Sequence, residues 1–196
     1  KLGYLINGAK AWCTFAGRAN ILGLLARTNP DASLGHKGLS LFIVEKDPFT
    51  GHDFEMRQAN GGTLSGKADA TLGYRGMHSF TLQFDNFFVP AENLVGKSDG
   101  VGKGFYLQMD GFAAGRLQTG GRAIGLAQAA LEAAVKYSNE RPQFGKPIAE
   151  FQNTQYEIGW MATELEAARQ LTYAAARAMD RGDARATLLA AMAKLY

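Results

Sequence analysis

Tyr137-Ser138-Asn139-Glu140-Arg141-Pro142-Gln143-Phe144-Gly145-Lys146-Pro147 interrupts two long stretches of helical periodicity, and its reading decides the fold of this 196-residue chain. Upstream, residues 107–137 are rich in Ala and Leu, and downstream, residues 148–178 repeat the pattern. The two prolines remove backbone donors and the glycine admits positive φ, so both helices end here and the chain reverses. In the second segment Ile148, Phe151, Ile158, Met161, Leu165, Ala168, Leu171, Ala175 and Met179 recur at helical spacing and mark one apolar face. The many alanines let helices approach closely, which predicts an antiparallel bundle. The turn also carries Arg141 and Phe144. A Phe on a solvated tip gains little unless a ligand or another subunit covers it.

Outward from there the periodicity changes. Residues 4–6, 9–13, 21–27, 39–45, 71–74 and 80–89 carry strand signals, with turn chemistry between them. Asn7-Gly8 predicts a tight hairpin joining the first two, and residues 60–66 read as a Gly-rich turn. Phe80, Leu82 and Phe84 alternate with Thr81, Gln83 and Asp85, which assigns the two sets to opposite faces. The expected fold class is α+β. An antiparallel β barrel or sandwich spans residues 1–97, and a helical bundle entered through a Gly-rich linker spans 98–196.

Composition narrows the function. A hydrophobic content of 46% supports a true core, and no apolar run approaches the length of a membrane span. The net charge of +3 suits an acidic ligand and does not by itself argue for nucleic acid. The single cysteine, Cys13, excludes an internal disulfide and fits a reducing compartment. No His/Cys cluster has metal spacing, and there is no GxSxG nucleophile. Gly100-Val101-Gly102-Lys103-Gly104 lacks both the GxxxxGK(S/T) and the GxGxxG spacing, so neither nucleotide motif applies. The chain starts without Met and ends inside a helical pattern, and so reads as a piece of a longer protein.

Three places could carry chemistry. Trp12 and Thr14 sit two apart on a strand, either as a buried Trp packing the β domain or as a stacking surface beside a hydroxyl. His36-Lys37 lies in a loop between strands, either solvated or contacting a phosphate. Arg116 lies in the first long helix, where it snorkels to water or meets an anion. Cys13, with nothing nearby to lower its pKa, reads as a packed thiol.

Several segments together resemble the flavin-dependent acyl-CoA dehydrogenases. They are Gly8-Ala9-Lys10-Ala11-Trp12-Cys13-Thr14, Leu24-Leu25-Ala26-Arg27-Thr28, and Phe84-Asp85-Asn86 with Val89-Pro90-Ala91-Glu92-Asn93-Leu94-Val95-Gly96. Glu140-Arg141-Pro142-Gln143-Phe144-Gly145 with Phe151-Gln152 completes the set, collinear over the whole chain. The resemblance implies a middle β domain and a C-terminal helical domain, with further helices on both sides. It implies FAD as cofactor, Trp12 stacking on the isoalloxazine and Thr14 bonding its N5 edge. Arg141, Phe144 and Gln152 would reach the FAD of a neighbouring subunit. His36 would contact the adenine and 3′-phosphate of CoA, and Phe105, Phe112 and Arg116 would line the pantetheine and acyl path.

The implied reaction removes the α-proton of an acyl thioester with a carboxylate and passes hydride from Cβ to the flavin. The catalytic glutamate of most members lies beyond this stretch, and the alternative position before the helix arginine is Gly115 here. No catalytic residue is therefore assigned. Implied partners are an acyl-CoA substrate, an electron-transfer flavoprotein or similar acceptor, and further subunits in a homodimer or homotetramer, with no nucleic acid or membrane. The implied location is the bacterial cytoplasm, or the mitochondrial matrix in a eukaryote. Two departures, Arg75-Gly76-Met77-His78-Ser79-Phe80 and a longer connection over residues 58–69, are similar to the methylsuccinyl-CoA dehydrogenase branch. That branch converts (2S)-methylsuccinyl-CoA to mesaconyl-CoA. The other reading within the fold is a flavoprotein that binds DNA and is not a dehydrogenase.

Overall fold

The computed structural model describes residues 2–73 and 75–196. They form two compact units, one ending at Gln108 and the other beginning at Met109. The architecture is α+β, a β unit followed by a helical one.

The strands of the first unit are β1 (Gly3–Thr14), β2 (Ile21–Arg27), β3 (Leu39–Glu45), β4 (Asp53–Arg57), β5 (Thr63–Ala68) and β6 (Ser79–Pro90). One antiparallel sheet has the order β1-β6-β5-β4, and a second pairs β2 with β3. The core is made where the inward faces meet. Phe80, Leu82 and Phe84 of β6 are at most 2% exposed and pack with Leu24, Phe42, Val44, Phe54 and Leu64. Thr81, Gln83 and Asp85 face out, as alternation requires.

That alternation does not run the length of β6. Beyond Asn86, whose φ is +47°, the buried residues become Phe87 and Val89. The cause lies across the ladder, where Ile6 pairs with Phe87 but Gly8 pairs with Phe84. Asn7 thus faces both Asp85 and Asn86, and its Oδ1 accepts the Asn86 N–H at 2.8 Å. This is a β-bulge, and its extra residue shifts the side-chain phase so that both halves of β6 bury their phenylalanines. The Asn7-Gly8 hairpin expected from the sequence does not form, and residues 3–14 are one strand.

Two further expectations change. Residues 58–69 hold a tight turn and then β5, which fills the sheet between β4 and β6. Gly66 fits there because a Cβ would collide with Phe54 and Leu82. The strand expected over residues 71–74 is bend and coil over 71–73, and Tyr74 lies outside the described residues.

Helix α1 (Gly104–Glu140) begins in the first unit, and the second unit adds the short strands β7 (Pro142–Gln143) and β8 (Lys146–Pro147), then α2 (Gln152–Asp180) and α3 (Ala186–Leu195). β7 and β8 form a hairpin whose two loop residues, Phe144 and Gly145, have φ of +52° and +82°. Positive φ at both positions is what a two-residue hairpin loop requires, so the reversal costs a left-handed Phe. On α2, Leu165, Thr172, Ala175 and Ala178 are buried, as are Ala190 and Ala193 on α3. Arg169 ties helices together, donating to Gln128 Oε1 of α1 and to Glu166 of its own helix.

Candidate functional site

A second bulge presents Trp12. Lys10 pairs with Leu82 and Cys13 with Phe80, so Ala11 and Trp12 share one partner position. Trp12 takes up the extra residue at φ +57° and stands 73% exposed. A large aromatic held out of a core that has room for five buried phenylalanines points to a stacking ligand. Thr14, also exposed, has its Oγ1 3.1 Å from Ser79 Oγ. Phe15 follows at φ +68°, its N–H donating to His78 O at 2.8 Å. His78, itself at φ +52°, packs against the His52 ring at 4.5 Å between centres, the two planes tilted by 50°. Cys13 is half-buried, and burial raises its thiol pKa, which leaves it a packed thiol and no nucleophile.

The His36 loop is built rigidly within the same unit. Asp31 caps its 3₁₀ turns by accepting from Ser33 N at 2.9 Å. The Arg27 guanidinium donates to Gly35 O at 3.0 Å and Asn29 O at 3.3 Å. The His36 ring then meets the start of α1, 5.0 Å from the Phe105 ring and with Nε2 2.9 Å from Tyr106 Oη. The glycines of residues 100–104 permit this approach. A Cβ on Gly104 would strike the Ser40 and Leu41 backbone, and one on Gly102 would strike Lys37 O. They are packing glycines, not a phosphate loop.

In the second unit, Arg141 follows α1 directly and Phe144 tips the hairpin at 92% exposure. The Arg141 backbone is bonded at both ends, to Tyr137 O and from Ile148 N, while its guanidinium has no partner among the described residues. Phe144 meets Phe151 edge-on at 6.3 Å, and Lys146 Nζ lies 4.6 Å above the Phe151 ring. Gln152 opens α2 with an exposed side chain. Phe112 is exposed and Arg116 partly buried, four residues apart on one face of α1.

These residues do not line either of the two larger hollows among the described residues. A groove of about 590 Å³ in the helical unit is bordered by Gly120, Ala123, Ala127, Trp160, Met161 and Leu165. A hollow of about 850 Å³ in the β unit is bordered by Ile21, Glu45, Gln58 and Phe88. Among the described residues no group of three or more His, Cys, Asp or Glu side chains could hold a metal, and no helix is long and apolar enough to cross a membrane. Ser79, His52 and Tyr106 escaped the sequence reading because strand pairing and loop docking bring them in, and neither leaves a local signal.

Residues 1–87 match the acyl-CoA dehydrogenase middle domain, and residues 102–196 match the acyl-CoA dehydrogenase C-terminal domain. The chain belongs to the acyl-CoA dehydrogenase family. It is 43% identical over 193 residues to (2S)-methylsuccinyl-CoA dehydrogenase of Cereibacter sphaeroides, covering 98% of this chain and 34% of that protein. It is 40% identical to cyclohex-1-ene-1-carbonyl-CoA dehydrogenase of Syntrophus aciditrophicus, covering 98% of this chain and 42% of the relative. The butyryl-CoA dehydrogenase structure of Megasphaera elsdenii superposes with a TM-score of 0.82 at 35% identity, covering 97% of this chain and 45% of that one. The chain thus spans less than half the length of these relatives.

The residues present fit a flavin dinucleotide of the kind this acyl-CoA dehydrogenase resemblance implies. An open indole face two residues from an exposed Thr suits the ring system, and a guanidinium without a partner among the described residues, on the same turn as an exposed Phe, suits a phosphate-bearing, partly aromatic cofactor.

Proposed function

We propose that the full-length protein carrying this chain is an FAD-dependent acyl-CoA dehydrogenase acting on (2S)-methylsuccinyl-CoA. The observation that carries the reading is Trp12, turned out of the β sheet by a bulge, with the exposed Thr14 two residues on. A bound flavin supplies the two-electron acceptor for the hydride leaving Cβ. Trp12 covers one face of the ring and shields it from water. Thr14 donates its hydroxyl proton to the reacting edge of the ring, while Ser79 Oγ donates in turn to Thr14 Oγ1 and holds its direction. Arg141 and Phe144 would hold the cofactor of a neighbouring subunit, and an electron-transfer flavoprotein or similar acceptor would be the redox partner. The thioester carbonyl is polarised by hydrogen bonds, and the α-proton leaves to a carboxylate that lies outside residues 1–196.

The substrate reading draws on the 43% identity to the Cereibacter sphaeroides enzyme and on His78. A branched dicarboxylyl thioester brings a distal carboxylate, which needs a cation or several donors when it is desolvated. His78 lies next to the Thr14–Phe15 backbone, and Arg75 is on the exposed turn before it.

Thr14→Ala tests the reading directly. Loss of one hydrogen bond to the reacting edge slows flavin reduction by substrate about tenfold while FAD content stays close to wild type. Unchanged reduction traces in stopped-flow absorbance would remove Thr14 from the site. Turnover of methylsuccinyl-CoA should exceed that of butyryl-CoA, and His78→Ala should narrow the ratio. A wild-type preference for butyryl-CoA would refute the substrate assignment.

A further inference from the structure

We infer that His52 is a positioning residue for the flavin site, acting through His78 to hold the Thr14 hydroxyl in direction. This rests on the flavin reading above and adds to it a residue that none of the sequence motifs contains.

Backbone strain is gathered at this end of the sheet. Trp12, Phe15 and His78 have φ of +57°, +68° and +52°, where β1 and β6 close their ladder with the pair Thr14 and Ser79. Residues with a Cβ persist in that conformation where their surroundings hold them, and they cluster at functional sites. Two contacts across the ladder fix Thr14. The Phe15 N–H donates to His78 O at 2.8 Å, and Thr14 Oγ1 lies 3.1 Å from Ser79 Oγ. Both depend on the His78 backbone, because a turn about its φ swings its own carbonyl and Ser79 together.

The His78 ring anchors that backbone. It is partly buried against the His52 ring, 4.5 Å away, and meets the Phe80 ring edge-on at 6.4 Å. His52 is itself held at the end of β5, where its carbonyl accepts from Ala68 N at 2.7 Å. The next residue, Asp69, donates its N–H to Ser79 O at 2.7 Å, which ties β5 to the same end of β6. The His52 side chain is exposed and makes no hydrogen bond among the described residues, so His78 is what it packs on. Removing its ring frees His78 without opening the core, because Phe54 keeps its contacts with Phe49 and Phe80. Thr14 then samples several rotamers, and a hydroxyl that must be ordered at each encounter contributes less to the reaction.

The test uses the full-length FAD-loaded protein. It reads flavin reduction by methylsuccinyl-CoA and by butyryl-CoA, and backbone amide exchange by mass spectrometry over the peptide that contains Phe15. His52→Ala should slow reduction about threefold with both thioesters, a partial loss of one hydrogen bond. KM, FAD content and thermal midpoint should stay near wild type, while the Phe15 amide exchanges faster. His52→Phe keeps a ring against His78 and should restore both readouts. In a Thr14→Ala background His52→Ala should slow reduction little further, because the hydroxyl it orders is gone. Unaltered reduction in His52→Ala, no recovery in His52→Phe, or a full extra loss in the Thr14→Ala background would overturn the inference. Slowing confined to methylsuccinyl-CoA would also overturn it and assign His52 to the substrate carboxylate instead. Wild-type exchange at Phe15 in His52→Ala would break the link through His78, whatever the activity. If no acyl-CoA thioester reduces the wild-type flavin, the acyl-CoA reading itself fails and takes the inference with it.

Discussion

Lys46 is 5% exposed, and its ammonium donates to the carbonyls of Gly17 at 2.9 Å, Ala19 at 2.7 Å and Asp47 at 2.6 Å. It also sits 5.0 Å from the Phe54 ring and 5.2 Å from that of Phe49. Three donors meet three acceptors, so the charge is satisfied, but burial still lowers its pKa below the usual 10.5. The sign follows from proton counting. Between the lowered native value and 10.5 the unfolded chain binds more protons, so stability rises with pH across that window. Lys46→Met should remove this rise and cost about 1–3 kcal/mol at neutral pH, because the carbonyls lose their donors. Urea denaturation from neutral pH up to 10.5 reads both effects, and a variant as stable as wild type would show that the carbonyls find water instead.

Among elements, the start of α1 depends on a glycine that helix propensity alone would replace. Ala is favoured over Gly by about 1 kcal/mol inside a helix. At Gly104, however, a Cβ would meet the backbone of Ser40 and Leu41, which cannot swing away as a side chain tip can. Steric strain of about 1–3 kcal/mol outweighs the propensity gain. Gly104→Ala should therefore lower the thermal midpoint, whereas Gly111→Ala, open on all sides at the next turns of the same helix, should not. The two bulges of the β1–β6 ladder show the same logic at strand level. One rephases β6 to bury Phe84 and Phe87, and the other exposes Trp12.

At the scale of the whole molecule, the β7–β8 hairpin carries an unpartnered Arg141 guanidinium and a 92% exposed Phe144 in a left-handed conformation. Apart from its edge-on contact with Phe151, this strained aromatic faces water, and the proposed function would cover it with a neighbouring subunit and its cofactor. Arg141→Ala in the full-length oligomer should weaken FAD retention about ten- to a hundredfold, the size of one charge-assisted hydrogen bond. Flavin released on gel filtration measures it, and full retention would remove Arg141 from the cofactor site.

Periodicity and turn residues determined the α+β order, the faces of Phe80–Leu82–Phe84 against Thr81–Gln83–Asp85, and the reversal at Pro142–Pro147, because each depends on neighbours within a few positions. The resemblance that marked Trp12, Thr14, His36 and Arg141 was likewise legible in the linear order of short motifs. Tertiary structure alone decided whether Asn7-Gly8 turns or bulges, since the choice lies with Asn86, 79 residues away. It also decided that residues 63–68 form a strand, because a Gly-containing segment gains a ladder only between β4 and β6. From its own strand Trp12 read first as a packed core residue and only second as a ligand surface. What settled its exposure was the extra residue between the Leu82 and Phe80 pairings, a register imposed by packing the opposite face of β6.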